Sequence, residues 1–309
     1  MSARIGKPLA ILLFLSLAAT LVGAFKFSHC EQSLWATPDQ YVHACYSDIA
    51  TLYGERDLDK DQWSYTSKTN AVEYPVLTGT VMWIFAKVLP SGDNEILNYY
   101  RLNALFLAAL FIFIALIVHR IRPEFSYLAA IAPAAIASLY INWDLWAIAS
   151  MMLAIYWFDR KKYTHSALAI GISISTKFLP IFLLLPIALI LWRRNEIKNL
   201  VRYLVIASAT FAVINIPVLL TTPDGWLRFY QLNFDRGTDW GSLWYALSSL
   251  GIPIGNTNFF ALLALLIAVL VISLLIFATK ETMHLAQISF IVLALVMIAS
   301  KVYSPQYIL

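Results

Sequence analysis

Residues 171–192 read GISISTKFLPIFLLLPIALILW, a run of 22 residues whose only charge is Lys177. It is either one kinked helix or two segments that meet at a membrane surface. The residue before a proline is biased away from the α region, and Pro180 falls in the middle of the run. A lysine is costly in hydrocarbon unless its ammonium reaches the interface. Both arguments favour two segments, split near Pro180, with a turn at Lys177. That choice sets the parity of every crossing that comes after it, and so the side on which each later loop lies.

Working outward, apolar runs of the same kind recur along the whole chain. The sequence is 60% hydrophobic and 13% charged, with a mean hydropathy of +0.71. A soluble domain of 309 residues cannot hide that much apolar surface, so lipid must be the solvent for much of it. The runs are continuous and rich in Leu, Ile and Ala, without the alternation of a membrane β-barrel. They predict membrane segments at 8–27, 99–118, 125–141, 144–158, 165–179, 180–192, 199–220, 257–278 and 284–300. The first has the look of a signal peptide, but no A-x-A-like cleavage site precedes a soluble domain, so it reads as a retained helix. The fold class is an all-α polytopic membrane protein. It is expected to be a single transmembrane bundle over 1–309 whose outer-face loops, 28–98 and 221–256, carry short interfacial helices.

Nine alternating crossings place the basic stretches HRIR (from His119), DRKK (from Asp159) and WRRNEIK (from Trp192) on one side, with Arg4 and Lys7. The positive-inside rule makes that side cytoplasmic. Of the 18 acidic residues, 14 then lie on the other face, leaving Glu124, Asp159, Glu196 and Glu281 inside. Stretch 74–90 is apolar too, but as a crossing it would turn every later basic loop outward. Prolines bound it and Lys87 interrupts it, so it reads as a helix in the outer interface. The pI of about 8.9 reflects the cytoplasmic loops, and no basic patch with interleaved aromatics points to nucleic acid.

Several outer-face residues are candidates for chemistry. Cys30 and Cys45 are the only cysteines. In an oxidising compartment they suggest a disulfide, worth ~3 kcal/mol by loop closure. Free thiols, or a zinc ion held with His29 and His43, are the alternatives. Asp48 comes soon after the first crossing, between Tyr46 and Tyr53, and the same loop continues to Glu73 and Tyr74. Aromatics beside carboxylates suit a sugar, whose apolar face stacks while the acid takes a hydroxyl. The ordinary explanation for Asp48 is a helix cap at SDI. Asp144, in NWDLW, stands at a turn between two apolar runs, where an acid is either functional or, with Asn142, a cap for the next helix. Lys177 is either a snorkelling lysine or a point charge for an anion. Arg101, Arg228, Arg236 and Lys301 add cations to the outer face, at the depth of lipid phosphates. No nucleotide-binding loop, G-x-S-x-G elbow or H-E-x-x-H motif is present.

The stretches CYSDIATLY (from Cys45), EYPVLTG (from Glu73), INWDLWAI (from Ile141), ISTKFLPIFLLLP (from Ile174) and SKVYSPQYIL (from Ser300) carry a resemblance. In this order they resemble the multi-pass glycosyltransferases of the GT-C superfamily, most of all the bacterial polyprenyl-phosphate-mannose-dependent α-mannosyltransferases of glycosyltransferase family 87. The resemblance implies that Asp48 is the catalytic base and that Lys177 and the turn at 304–307 lie near the lipid phosphate. Enzymes of this type continue for several more helices, which implies a C-terminally incomplete domain. A second acid directly beside Asp48 is missing.

The resemblance also sets an expectation of function. The chain would be an inverting hexosyltransferase, transferring a sugar, with mannose favoured, from a polyprenyl-phosphate donor to an acceptor hydroxyl. The acceptor would be a glycolipid or a polysaccharide, and the site would face outward from a bacterial plasma membrane. Lys177, Arg101 and Lys301 would serve the donor phosphate; Asp144, Glu73, Tyr53, Tyr74 and Gln306 would serve acceptor and sugar. No cofactor is required, and a divalent metal is permitted but not demanded. The competing readings are a lipid or solute transporter, whose inverted repeats and mid-membrane polar residues are not seen, and a non-catalytic assembly partner.

Overall fold

The computed structural model describes residues 7–89, 92–252, 254–279 and 284–304. Every element among them is helical. In chain order they are α1 (Lys7–Ser33), α2 (Asp39–Val42), α3 (Asp48–Glu55), α4 (Val76–Lys87), α5 (Glu95–Ile121), α6 (Ser126–Ile131), α7 (Pro133–Ser138), α8 (Asp144–Asp159), α9 (Tyr163–Thr176), α10 (Leu184–Arg193), α11 (Ile197–Thr221), α12 (Pro223–Asp235), α13 (Leu243–Ser249), α14 (Thr257–Ala278) and α15 (Leu285–Ala299). Short 3-10 turns lie at Leu58–Lys60, Pro123–Phe125 and Leu179–Leu183.

Four helices, α1, α5, α11 and α14, are long and apolar enough to cross a membrane. The remaining expected crossings fall on shorter helices. The 16 residues of α8 rise only ~24 Å, less than a typical ~30 Å hydrocarbon core. The segment expected at 125–141 is broken into α6 and α7, because Pro133 cannot donate its backbone hydrogen bond and pushes Ala132 to an extended conformation. Residues 171–192 do form two segments, but the break is not at Pro180. Helix α9 ends at Thr176, Lys177 is extended, and Pro180 sits early in the 3-10 turn that leads into α10, where a missing N–H costs nothing. Helix α4 forms within 74–90, and its 12 residues span ~18 Å, too short to cross.

Lipid supplies no hydrophobic drive between helices, so close packing and internal hydrogen bonds must hold them. Helix α9 lies between α8 and α11 and carries the small and hydroxyl residues that this requires. Ser166 Oγ donates to Ala154 O (2.7 Å) and Ser173 Oγ to Ala147 O (2.8 Å), tying α9 to α8. At Gly171 a Cβ would come within 2.8 Å of Ala207 O, so glycine permits α11 to approach. The apolar faces of α14, including Leu262, Leu266 and Leu270, are left exposed, as lipid-facing side chains should be.

The bundle has two chemically distinct ends. At one, Arg160 reaches Arg120 O, Arg193 reaches the carbonyls of Ile276 and Thr279, and Asp159 accepts from Leu285 N. The other end collects the start of α3, α5 and α8 with the close of α9, α11 and α15. There Ser47 meets Tyr140 O and Lys301 meets Phe234 O. The basic loops and the acid-rich loops therefore lie at opposite ends.

Candidate active site at the acid-rich end of the bundle

Cys30 and Cys45 form a disulfide with a Cα–Cα distance of 5.9 Å, which excludes both free thiols and a cysteine-bound zinc. It ties the end of α1 to the segment that leads into α3. Three residues later the chain reaches Asp48. The capping explanation for this residue does not hold, because Ser47 is the N-cap: its Oγ accepts from Ile49 N (3.2 Å). The same hydroxyl donates to Tyr140 O (2.8 Å), and Asp48 N donates to Ile141 O (2.8 Å). These bonds dock the outer loop onto the turn that precedes α8.

The Asp48 carboxylate is thereby free of capping duty and is held by two phenols. Tyr46 Oη donates to one oxygen and Tyr74 Oη to the other, each at 2.8 Å. Burial pushes the Asp48 carboxyl above its ordinary range. The two phenols and the Lys177 ammonium pull it down, while the neighbouring Asp144 charge pushes it up. Burial, together with the Asp48 charge, also raises the Tyr46 hydroxyl, so it remains a donor. Tyr74 is itself set from two sides. Tyr65 Oη donates to its carbonyl (2.8 Å), and its ring meets Trp143 edge-on at 5.5 Å. Tyr65 in turn needs Gly79, where any Cβ would lie 2.2 Å from its hydroxyl oxygen.

Asp144 opens α8 and is 5% exposed. Its own N–H donates to Asn142 Oδ1 (3.0 Å) and it lies one residue inside the N-cap, Trp143, so the Asp144 carboxylate is left for another partner. That partner is Lys177, whose Nζ donates to Asp144 Oδ2. Two local facts deliver the lysine. Its extended backbone at the end of α9 turns the side chain out of the helix, and Thr78 Oγ1 caps the preceding carbonyl of Thr176 (2.7 Å). Trp143, fully buried, donates to Asn103 Oδ1 (2.7 Å) and so fixes the turn against α5.

Of the residues marked out in the sequence, Asp48, Tyr74, Asp144 and Lys177 thus come together. Others lie apart. Glu73 forms a two-point pair with Arg56, whose guanidinium Nε and Nη2 engage both carboxylate oxygens. Tyr53 donates to Glu95 (3.3 Å) and packs on Tyr99. Arg101 pairs with Glu31 (2.7 Å) beside α1. Lys301 donates to Phe234 O (2.7 Å), and burial lowers its pKa. Gln306 lies outside the described residues. Arg236 pairs with Asp239 (2.8 Å), whereas Arg228, on α12, has a buried Nε without a hydrogen-bond partner. Helix α12 reaches the site through Phe229 and Tyr230, which pack on Phe178.

Tyr46, Ser47, Tyr65 and Asn103 are the positioning residues that sequence reasoning missed or named only as neighbours. For Tyr46 and Ser47 the one available signal was their position beside Asp48; Tyr65 and Asn103 carried none. Comparison of the chain with protein-family models, with curated proteins and with solved structures finds no match.

Proposed function

We propose that the chain is an integral-membrane inverting glycosyltransferase that takes its sugar from a polyprenyl-phosphate donor at the outer face of a bacterial plasma membrane. The observation that carries this reading is the juxtaposition of a carboxylate freed from structural duty, Asp48, with the Asp144–Lys177 ion pair. It meets the needs of the reaction. The acceptor hydroxyl attacks the anomeric carbon of a β-linked sugar phosphate, and Asp48 takes its proton as the glycosidic C–O bond to phosphate breaks. A positioned base of this kind contributes ~10²–10⁴-fold. The leaving phosphate needs no proton but does need a cation, and Lys177 supplies one. Asp144 holds that lysine in place until the phosphate shares it.

A second feature supports a lipid donor. A cavity of about 510 Å³ runs between α4, α5, α8 and α9, lined by Leu77, Val81, Leu110, Trp146, Leu153 and Ile172. Thr176, the residue before Lys177, is among its lining residues. An isoprenoid chain in this groove would bring its phosphate to the lysine.

The test is transfer from labelled polyprenyl-phosphate mannose to endogenous glycolipid and polysaccharide acceptors in membranes containing the protein. Wild-type protein should transfer label with inversion, and Asp48→Asn protein should not. Equal transfer by the two would overturn the reading.

A further inference from the structure

The disulfide closes a second arrangement that the proposed reaction does not use. His29 lies near the end of α1, Asp39 opens α2, and His43 comes directly after it. Both imidazoles direct Nε2 at the one carboxylate: His29 Nε2 is 2.8 Å from Asp39 Oδ2, and His43 Nε2 is 3.5 Å from Asp39 Oδ1. The two rings face each other with centroids 3.8 Å apart. One ligand atom from each of the three residues falls within 4.8 Å of the others. Both histidines are about half exposed, so no burial of apolar surface explains why the rings converge.

We infer that His29, Asp39 and His43 form a divalent-metal site suited to zinc, which takes no ligand from the cysteines and does not rest on the Asp48 reading. Zinc bonds of ~2.0–2.1 Å in tetrahedral array place neighbouring ligand atoms ~3.3 Å apart. Each imidazole Nε2 already lies within 3.5 Å of one of the two Asp39 oxygens, and one ligand atom from each residue lies within 4.8 Å of the others, so a bound ion would draw the three inward. Two neutral imidazoles and a carboxylate are a known zinc ligand set, leaving a fourth position for water on the exposed side. The site is built in advance. Cys30 is adjacent to His29 and Cys45 lies two residues beyond His43, so the disulfide already holds together the two segments that supply the ligands. Metal binding therefore carries little ordering cost. Tyr41, between Asp39 and His43, stacks on Tyr46 at 5.6 Å, so the bound ion would stiffen the segment that carries Tyr46 toward Asp48.

The test uses the full chain in detergent, free of any histidine tag and stripped with EDTA. Zn²⁺ is titrated calorimetrically, and Co²⁺ is followed by its visible absorption. One Zn²⁺ per chain and an intense, tetrahedral Co²⁺ spectrum are expected. The double variant His29→Ala/His43→Ala should weaken binding by more than the ~10–100-fold typical of outer-shell changes. Peptide mapping without reduction should still find Cys30 joined to Cys45 in that variant. If it does not, the single variant His43→Gln takes its place with the same readouts. Zinc uptake equal in wild type and variant, or a weak octahedral Co²⁺ spectrum in wild type, would overturn the site.

Discussion

At Asp48 the chain accepts a cost. A carboxylate whose pKa is raised on folding binds its proton more tightly in the native than in the unfolded state. Stability therefore falls as pH rises from the unfolded value, near the ordinary 3.8, through the raised native one. Above that window the ionised group is a net liability, and this is the state a general base needs. Asp48→Asn should abolish turnover and yet be no less stable than wild type at pH 7, because either phenol can rotate its hydroxyl to accept from the new amide. Thermal unfolding in detergent, run beside the transfer assay, checks both; a variant that is inactive only because it is unfolded would refute the base assignment. The acid limb of turnover against pH should also lie above the ordinary carboxylate range and vanish with the residual activity of the asparagine variant. The Asp144–Lys177 pair behaves differently. Removing one partner leaves the other charge poorly compensated, so Lys177→Ala or Asp144→Ala should each cost ~3–5 kcal/mol, whereas Asp144→Leu with Lys177→Met should recover much of it. Denaturation of the three variants measures this directly, and additive losses in the double variant would show that the two charges are not coupled.

At the level of elements, α3, α4, α8 and α9 meet because side chains at their ends satisfy one another's backbone. Ser47 binds the turn before α8, Thr78 of α4 closes α9, and Asn142 accepts from the first N–H of α8. This is also where the legibility of the sequence ends. Hydropathy showed the helical runs, and the oddity of charge in greasy surroundings picked out Asp144 and Lys177, which 32 intervening residues separate. Their pairing was not legible: the short loop at 160–162 makes α8 and α9 antiparallel neighbours, but nothing local in sequence encodes the register and rotation that bring these two side chains together. Pro180 misled on the break for a related reason: a proline tolerated in a first turn gives the same signal as one that ends a helix. Glu73 shows the opposite failure. Its position beside Tyr74 made it a candidate, but Arg56, which engages it, carries no mark in the sequence. Gly79 provides a test of the element contacts. Gly79→Ala forces Tyr65 away and with it the hydrogen bond to Tyr74 O. Overpacking of this kind costs ~1–3 kcal/mol, and loss of the Tyr74 hold on Asp48 should lower turnover further than an equal destabilisation elsewhere. Gly54→Ala, at a position with no neighbouring atom within 4 Å, is the matched control, and equal activity of the two variants would detach Tyr65 from the site.

For the whole molecule the decisive property is polarity along the bundle axis. Four long apolar helices are present, and the ends of the bundle differ in charge as the basic and acidic loops require. The orientation we propose follows the positive-inside rule, with the end bearing Arg122, Arg160, Lys162 and Arg194 in the cytoplasm. In that orientation the end bearing Asp48 would face outward, into an oxidising compartment of the kind in which a Cys30–Cys45 disulfide forms and persists. The disulfide and the charge bias are independent physical constraints, and both favour the proposed orientation. Single cysteines introduced into a background lacking Cys30 and Cys45 should therefore sort by end. Lys68 and Asp235 are exposed at the acid-rich end, and Lys162 and Lys198 are exposed at the basic end. In intact cells a membrane-impermeant maleimide should label Lys68→Cys and Asp235→Cys, and should label Lys162→Cys and Lys198→Cys only after permeabilisation. The reverse pattern would place Asp48 and Lys177 in the cytoplasm, where an outward-facing lipid-linked sugar never arrives, and would remove the donor from the proposed reaction. A mixed pattern, with Lys162 and Lys198 on opposite sides, would mean that α9 and α10 do not carry the chain back to the same face.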